Sequence, residues 1–243
     1  MLATTVHPSI SYRSDIQGLR ALAIALVVLG HAHVPGFAAG FVGVDVFFVL
    51  SGYLITGLLV REHKDTGGIR YARFLARRLK RLLPALLTML VLVLLLATLL
   101  LSAYEMRMQS GSFIFAATWT SNLFFAFVDR DYFSALQNED LFLHTWSLGV
   151  EEQFYLLWPW LVSGSFLLLV GRSGAHSDRK VLLGIFAVLF AASLLLSLFW
   201  SNKQPLLAFY MMPSRVWQFA LGAAVFAGFH TLGQDRGASA ARR

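Results

Sequence analysis

The sequence contains no cysteine, so disulfide bonds and thiol catalysis are excluded. Charged residues are scarce as well: they make up 14% of the 243 residues, against 57% hydrophobic residues, and the mean hydropathy is +0.65. A soluble globular chain rarely has this composition. The sequence also lacks the spacing of an HExxH zinc site and a glycine-rich phosphate loop, so we expect neither kind of site.

Long apolar runs are abundant, and several contain 19 or more uncharged residues, enough for a helix to cross a bilayer. We therefore predict an all-α, polytopic membrane helix bundle. About seven membrane segments are expected, at 17–34, 39–60, 82–103, 108–128, 151–171, 181–202 and 214–230. They form one membrane domain, 17–230, between an N-terminal stretch, 1–16, and a Gly/Ala/Arg-rich tail, 231–243, which we expect to be disordered.

The positive charges indicate the orientation of this bundle. Eight of the twenty Lys and Arg residues lie between Arg61 and Arg81, with two acidic residues among them, as is typical of a cytoplasmic loop. The second half of this loop has apolar residues at helical spacing and predicts an amphipathic interfacial helix that leads into the third span. The N-terminus is then cytoplasmic, and the net charge of +7 does not indicate nucleic-acid binding. Segment 108–128 leaves two alternatives open, because it can cross the membrane or enter and return.

Two ionisable residues of the first span, Arg20 and His31, are candidate functional residues. Eleven helical steps of about 100° bring them onto one face, about 16 Å apart along the axis. Ionisable side chains in membrane helices usually face the interior of the bundle and have a function. The alternative is that Arg20 reaches the cytoplasmic interface with its long side chain and that His31 only caps the far end.

Further candidates lie in the basic loop and at the start of the fifth span. Arg78 and Arg81 are three residues apart on one helix face and can bind phosphate groups, or alternatively anionic lipid headgroups. Glu151 and Tyr155 share a face in a polar and aromatic cluster that also contains His144, although acidic residues at a helix N-terminus also stabilise the helix dipole. Ser51 is a weak nucleophile candidate beside a glycine that favours close packing. The remaining polar candidates near the membrane segments are Asp15, Asp45 and Arg215.

Five strings together resemble the integral-membrane acyltransferase-3 family, the O-acyltransferases of bacterial surface polysaccharides. They are YRSDIQGLRALAIALVVLGHA, GFVGVDVFFVLSGYLIT, RRLKRLLPALL, HTWSLGVEEQFYLLWP and YMMPSRVWQFALGA, between Tyr12 and Gly228. The resemblance implies about ten membrane helices and transfer of an acyl group, usually acetyl, from cytoplasmic acyl-coenzyme A to a sugar hydroxyl outside. Lipopolysaccharide O-antigen, peptidoglycan and exopolysaccharide are the acceptors it implies.

The resemblance also implies roles for individual residues. By position, Arg20 and His31 form the family's Arg-ten-residues-His motif, Arg78 and Arg81 its RxxR motif, Glu151 the Glu of its SLxVE string, and Phe47–Gly52 its Phe-Phe-x-x-Ser-Gly string. We expect Arg78 and Arg81 to bind the phosphates of the acyl-coenzyme A donor, with its pantetheine arm passing Arg20. We expect His31 to act as the catalytic general base and Glu151 to orient or stabilise its imidazole. No metal is implied. Two departures stand out: Gln218 replaces a Glu that is frequent in relatives, and the chain covers about seven of the family's ten helices, so we expect a C-terminally truncated protein. The alternatives are a transporter or flippase, in which no bond is broken, and an inactive remnant.

Overall fold

The computed structural model describes residues 13–128, 140–168 and 175–240. These residues form nine α-helices and two short 3₁₀ turns, Leu143–Thr145 and Met212–Ser214, and none of them forms a β-strand. The helices are α1 Ser14–His31, α2 Val42–Thr66, α3 Tyr71–Leu100, α4 Ala103–Ala117, α5 Ser121–Phe127, α6 Trp146–Leu167, α7 Ala175–Lys203, α8 Pro205–Tyr210 and α9 Val216–Ala240. The predicted all-α helix bundle is confirmed.

Among the described residues, four helices are long and apolar enough to cross a membrane: α1, α2, α3 and the part of α7 from Arg179 to Lys203. Their mean hydropathy rises from 1.2 in α1 to 2.7 in α3 and α7, while α9 contains a shorter apolar stretch, Val216–Phe229. On α3, exposed apolar side chains recur every four residues, at Leu87, Val91, Leu95 and Leu99, so one face of this helix is suited to lipid. The predicted interfacial helix and the third span are one continuous helix, because α3 begins at Tyr71.

Two segment boundaries differ from the prediction. The fourth predicted segment, 108–128, is not one helix but is divided between α4 and α5 by a turn at Trp119, whose φ of 56° is incompatible with a continuous helix. The last helix continues to Ala240 instead of ending near residue 230, so the tail predicted for 231–243 is helical through Ala240.

Helix α6 runs in the same direction as α2, which determines the side on which each loop lies. Trp146 at its start contacts Phe48 (ring centroids 6.3 Å apart), and Phe166 near its end stacks on His63 (3.8 Å). The chain therefore leaves α6 at the end of the bundle that holds the α2–α3 turn, residues 67–70, which we call the basic end. It enters α6 at the opposite end, where α2 also begins. The segment from α4 to α5 thus enters the bundle and returns to the side it came from, in agreement with the second of the two alternatives.

Close backbone contact and aromatic stacking hold α2 and α9 together in the centre of the bundle. A Cβ on Gly52 would collide with the backbone carbonyl oxygen of Phe219, and one on Gly222 would collide with that of Val49. Small residues of this kind let helices approach closely in lipid, where packing contacts replace the hydrophobic effect as the force between helices. The Phe219 ring stacks between Phe48 and Phe154, with centroids 4.8 and 4.0 Å away.

Candidate active site

A cavity of about 870 Å³ lies between α2, α3 and α6 and reaches Arg20 of α1 at its inner end. Its wall on α2 follows one helix face from Phe47 to Thr66, and its wall on α3 follows one face from Arg70 to Leu82. Six of the residues singled out in the sequence line it: Arg20, Ser51, Arg78, Arg81, Glu151 and Tyr155. The fold thus brings the predicted donor-binding arginines into the same cavity as Glu151.

The cavity carries an excess of positive charge, mostly toward the basic end. Seven arginines and three acidic residues line it: Arg20, Arg61, Arg70, Arg73, Arg77, Arg78 and Arg81 against Glu62, Asp65 and Glu151. On α3, Arg73, Arg77 and Arg81 recur four residues apart, and Arg78 is three residues before Arg81, so these arginines lie on one broad side of the helix. A cavity with this charge favours a ligand with several negative charges.

Glu151 lies at the centre of a small hydrogen-bonded cluster inside the cavity. The Ser51 hydroxyl and the Tyr155 hydroxyl both donate to Glu151 Oε1, the second over 2.5 Å. Tyr155 follows Glu151 by one helical turn on α6, whereas Ser51 comes from α2. The Arg78 guanidinium lies 5.3 Å from the centre of the Tyr155 ring, in a cation–π contact that joins α3 to the cluster. Three helices therefore meet at this carboxylate.

His31 lies outside this cavity, although Arg20 on the same helix lines it. Its Nδ1 is 2.8 Å from the carbonyl oxygen of Val27. Because a carbonyl can only accept, Nδ1 carries the proton, and Nε2 of the neutral ring is left with its lone pair. Glu151 accepts hydrogen bonds from Ser51 and Tyr155, and among the described residues no hydrogen bond or ion pair joins it to His31, so the expected orienting contact is not formed.

His144 lies near His31, in the 3₁₀ turn before α6. Burial lowers the pKa of His144 below its usual value, and repulsion by the neighbouring His31 imidazole lowers this pKa further. The loop before α6 and the C-terminal end of α1 therefore meet at the end of the bundle opposite the basic end. The sequence placed His144 in the cluster with Glu151 and Tyr155, but it does not line their cavity.

Asp45 and Arg215 form a separate ion pair between α2 and the start of α9. Arg215 Nη1 lies 3.1 Å from Asp45 Oδ1, and Gln218 Nε2 donates to the same oxygen over 2.9 Å. The Arg215 guanidinium also donates through Nε to the Phe209 carbonyl oxygen and lies 5.5 Å from the centre of the Trp146 ring. These contacts fix the turn before α9 against α2 and α6, outside the cavity.

Asp15, the remaining candidate, pairs with Arg13 at 2.6 Å at the exposed start of α1. Arg13 also donates to the Tyr53 hydroxyl over 3.3 Å. Because both members of the pair are more than half exposed, the contact belongs to the bundle surface, and Asp15 does not line the cavity.

Sequence reasoning missed two further groups. The basic residues 61–77 were interpreted as a sign of orientation and as part of an interfacial helix, not as a binding site. Yet their spacing of three to four residues already indicated that Arg70, Arg73 and Arg77 share a face with Arg81. Asn122 was missed altogether: it exchanges hydrogen bonds with Gln153 and donates to the Tyr210 carbonyl oxygen over 3.2 Å, which fixes α5 against α6 and α8. No local pattern around an amide side chain predicts such distant partners.

The described residues contain no group of three or more His, Asp or Glu side chains arranged to hold a metal ion. The candidate site consists of a cationic entrance, a carboxylate with two hydroxyl partners inside, and an imidazole beyond the inner end.

Comparisons with known proteins agree on one family. A family model described as an acyltransferase domain matches residues 13–238. A protein of Staphylococcus aureus strain MSSA476, provisionally named an O-acetyltransferase, is 41% identical over 155 residues, which are 64% of this chain and 25% of that protein. The O-acetyltransferase OatA of S. aureus strain NCTC 8325 / PS 47 is 41% identical over 157 residues, 65% of this chain and 25% of OatA. The chain thus spans about a quarter of the length of these relatives. No solved structure matches it significantly.

Proposed function

The chain belongs to the integral-membrane acyltransferase-3 family, as its motifs predicted, and we propose that it transfers an acyl group, most simply acetyl, from acyl-coenzyme A to a sugar hydroxyl. The donor enters from the cytoplasm at the basic end, and the acceptor is a sugar or polysaccharide of the cell envelope on the other side. The arginine-lined cavity that leads to Glu151 carries this proposal. The O-acetyltransferase names of the relatives support acetyl as the group and oxygen as its acceptor.

Coenzyme A matches the cavity in charge, and the order of its chemical groups matches the order of the residues along the cavity wall. Its diphosphate is a strong ligand for guanidinium groups, and Arg78 and Arg81 supply two of them on one helix face. The uncharged pantetheine arm then passes the apolar wall residues Leu54 and Leu58 of α2 toward Arg20. In this arrangement the thioester is the most deeply inserted part of the donor.

His31 is the proposed general base. Its Nε2 takes the proton from the acceptor hydroxyl while the oxygen attacks the thioester carbonyl; the C–S bond breaks, and the proton returns to the leaving thiolate. The products are a sugar ester and free coenzyme A. The Val27 carbonyl supports this role because it holds the proton on Nδ1. Imidazole also gains and loses protons near neutral pH.

Glu151 is proposed to act on the donor side of the reaction. It lines the cavity together with Ser51 and Tyr155, which donate to its carboxylate. Between the cavity and His31, α1 packs closely on α2 at Ala23 and Gly43. For transfer at His31, α1 and α2 must therefore move apart at this contact so that the thioester can reach His31. The acceptor approaches His31 from the opposite side.

The proposed location is the bacterial cytoplasmic membrane, with the N-terminus in the cytoplasm. The positive-inside rule supports this orientation because Arg179 and Lys180, at the start of α7, follow an α6 that ends at the basic end. Membership of an acyltransferase family favours the enzyme over the transporter or flippase alternative.

The test is acetyl transfer by this chain and three variants in a bacterium that lacks such enzymes, measured as O-acetyl groups released from purified surface polysaccharides. His31→Ala should abolish transfer and leave donor binding intact, whereas Arg78→Ala with Arg81→Ala should weaken donor binding. His33→Asn is the matched control: it removes an imidazole two residues from His31, and Asn tolerates the positive φ of 52° found there. Undiminished transfer by the His31 variant would contradict the proposed base.

A further inference from the structure

The entrance of the cavity holds a second group of arginines, distinct from the Arg78 and Arg81 pair. Arg61 of α2, Arg70 just before α3 and Arg73 in its first turn line the cavity near the α2–α3 turn; we call them the entrance arginines. At about 1.5 Å per residue, Arg73 lies about 7 Å from Arg78 and about 12 Å from Arg81 along the α3 axis. The two groups are therefore far enough apart to bind separate anions.

One of the two acidic residues at this end of the cavity, Glu62, already has other partners. The Glu62 side chain is 14% exposed, accepts from the backbone N–H of Arg70 over 3.2 Å and pairs with Arg77 at 3.4 Å. This carboxylate thus compensates Arg77 and helps to fix the start of α3 against α2.

The entrance arginines form no ion pair among the described residues and keep an excess of positive charge. No carboxylate of the described residues lies within ion-pair distance of the guanidinium groups of Arg61, Arg70 or Arg73. Asp65 is the one other acidic residue among the described residues that line this end of the cavity. Three guanidinium groups against one carboxylate make the entrance a site for an anion with more than one negative charge.

We propose that the entrance arginines bind the 3′-phosphate of the donor's ribose. This inference rests on the proposed function, in which the donor is an acyl-coenzyme A. Along that molecule the diphosphate separates the thioester from the ribose, so a donor with its diphosphate at Arg78 and Arg81 places its ribose nearer the entrance. A phosphate monoester carries close to two negative charges at pH 7 and accepts paired hydrogen bonds from guanidinium groups.

The test compares coenzyme A with 3′-dephospho-coenzyme A, which differ in this phosphate alone. Dissociation constants are measured by calorimetry on the purified chain in nanodiscs of phosphatidylcholine. The unaltered chain should bind coenzyme A more tightly by about tenfold or more, as expected when hydrogen bonds between charged partners are lost. Arg61→Gln with Arg73→Gln should remove this preference and leave the affinity for 3′-dephospho-coenzyme A unchanged.

Two further variants make the result specific. Arg78→Gln should weaken both ligands by a similar factor, because it removes a contact with the diphosphate they share. Lys80→Gln removes one positive charge from the same helix at a residue that does not line the cavity, and it should change neither affinity. A loss of both affinities in the double entrance variant would mean that these arginines attract any anion, which contradicts a 3′-phosphate site.

The remaining outcomes separate this inference from the proposed function. Equal binding of the two ligands by the unaltered chain overturns the 3′-phosphate site but leaves the coenzyme A donor in place. Binding of neither ligand overturns both. If the double variant keeps its preference for coenzyme A over 3′-dephospho-coenzyme A, the inference is wrong. If, in addition, phosphatidylglycerol in the nanodiscs weakens coenzyme A binding by the unaltered chain but not by the double variant, the entrance arginines bind lipid headgroups.

Discussion

At the scale of single residues, Glu151 shows how one carboxylate joins three helices. Ser51 of α2 and Tyr155 of α6 donate to the same oxygen, and Arg78 of α3 lies over the Tyr155 ring. Inside a membrane bundle, a charged group is tolerated when such partners replace water. We therefore propose that the two hydroxyl groups act through Glu151, as residues that position a carboxylate on the donor side of the reaction.

This arrangement predicts that Ser51 and Tyr155 depend on each other. Ser51→Ala and Tyr155→Phe should each lower kcat/KM for acetyl transfer by about tenfold, the effect of one lost hydrogen bond to a charged group. The double variant should lose clearly less than hundredfold, because residues in one hydrogen-bond network are not additive. Ser147→Ala, which removes a hydroxyl outside the cavity, is the control. Strictly multiplicative losses would show that the two hydroxyl groups act independently.

The sequence predicted which residues line the cavity better than it predicted which of them contact each other. Arg20, Arg78, Arg81, Glu151, Ser51 and Tyr155 were all singled out, and all of them line one cavity. The pair Glu151 and Tyr155 could be predicted because i and i+4 neighbours are fixed by helix geometry. The contact with Ser51, 100 residues away, could not, since it depends on how α2 and α6 pack.

At the scale of helices, the contact between α2 and α9 is the tightest in the bundle. Gly52 and Gly222 each face the backbone of the partner helix, so neither helix has room for a Cβ at these positions. Gly52 directly follows Ser51, so its contact with α9 helps to fix the position of Ser51 opposite Glu151. The sequence had favoured a packing role for the Ser51-Gly52 pair; the structure gives that role to Gly52 and an additional hydrogen bond to Ser51.

We therefore predict that Gly52→Ala destabilises the protein by about 1–3 kcal/mol, the usual cost of an additional methyl group in a fully packed core. The matched control is Gly164→Ala on α6, where nothing lies within 4 Å of the new Cβ. That change should be neutral or stabilising, because alanine favours helix more than glycine by about 1 kcal/mol. Both variants are compared by thermal unfolding in detergent. If Gly52→Ala unfolds at the temperature of the unaltered chain, the proposed tight contact is wrong.

The break between α4 and α5 marks the limit of prediction for helices. The turn at residues 118–120 contains neither glycine nor proline, and the residue with positive φ is Trp119, a type that rarely adopts this conformation. Hydrogen bonds from Thr120 and from the Thr118 hydroxyl to carbonyl groups at the end of α4 complete the turn. Apolar periodicity continues through such a turn, so composition alone could not separate a spanning helix from a helical hairpin.

At the scale of the whole molecule, the direction of α6 decides the topology. Three contacts along the two helices fix its alignment with α2. Phe48 contacts Trp146, and His63 stacks on Phe166. Between them, Trp158 Nε1 donates to the Thr56 hydroxyl over 2.8 Å. The start of α7 then lies on the side of the α2–α3 turn. The α3–α4 junction lies on the other side, where His31 also lies, at the opposite end of the bundle from the entrance arginines.

This topology predicts which loops are accessible from outside the cell. Because the sequence contains no cysteine, single introduced cysteines can test it. Single cysteines are introduced as Gly68→Cys, Ser102→Cys and Lys180→Cys, and intact cells are treated with a maleimide that does not cross membranes. Ser102→Cys should react in intact cells, because it joins α3 to α4 at the outer side. Gly68→Cys and Lys180→Cys should react only after the membrane is permeabilised.

If the α4–α5 segment crossed the membrane instead, Lys180→Cys would react in intact cells together with Ser102→Cys. The cysteine-free chain measures background labelling, and reaction of Gly68→Cys in intact cells would reverse the proposed orientation.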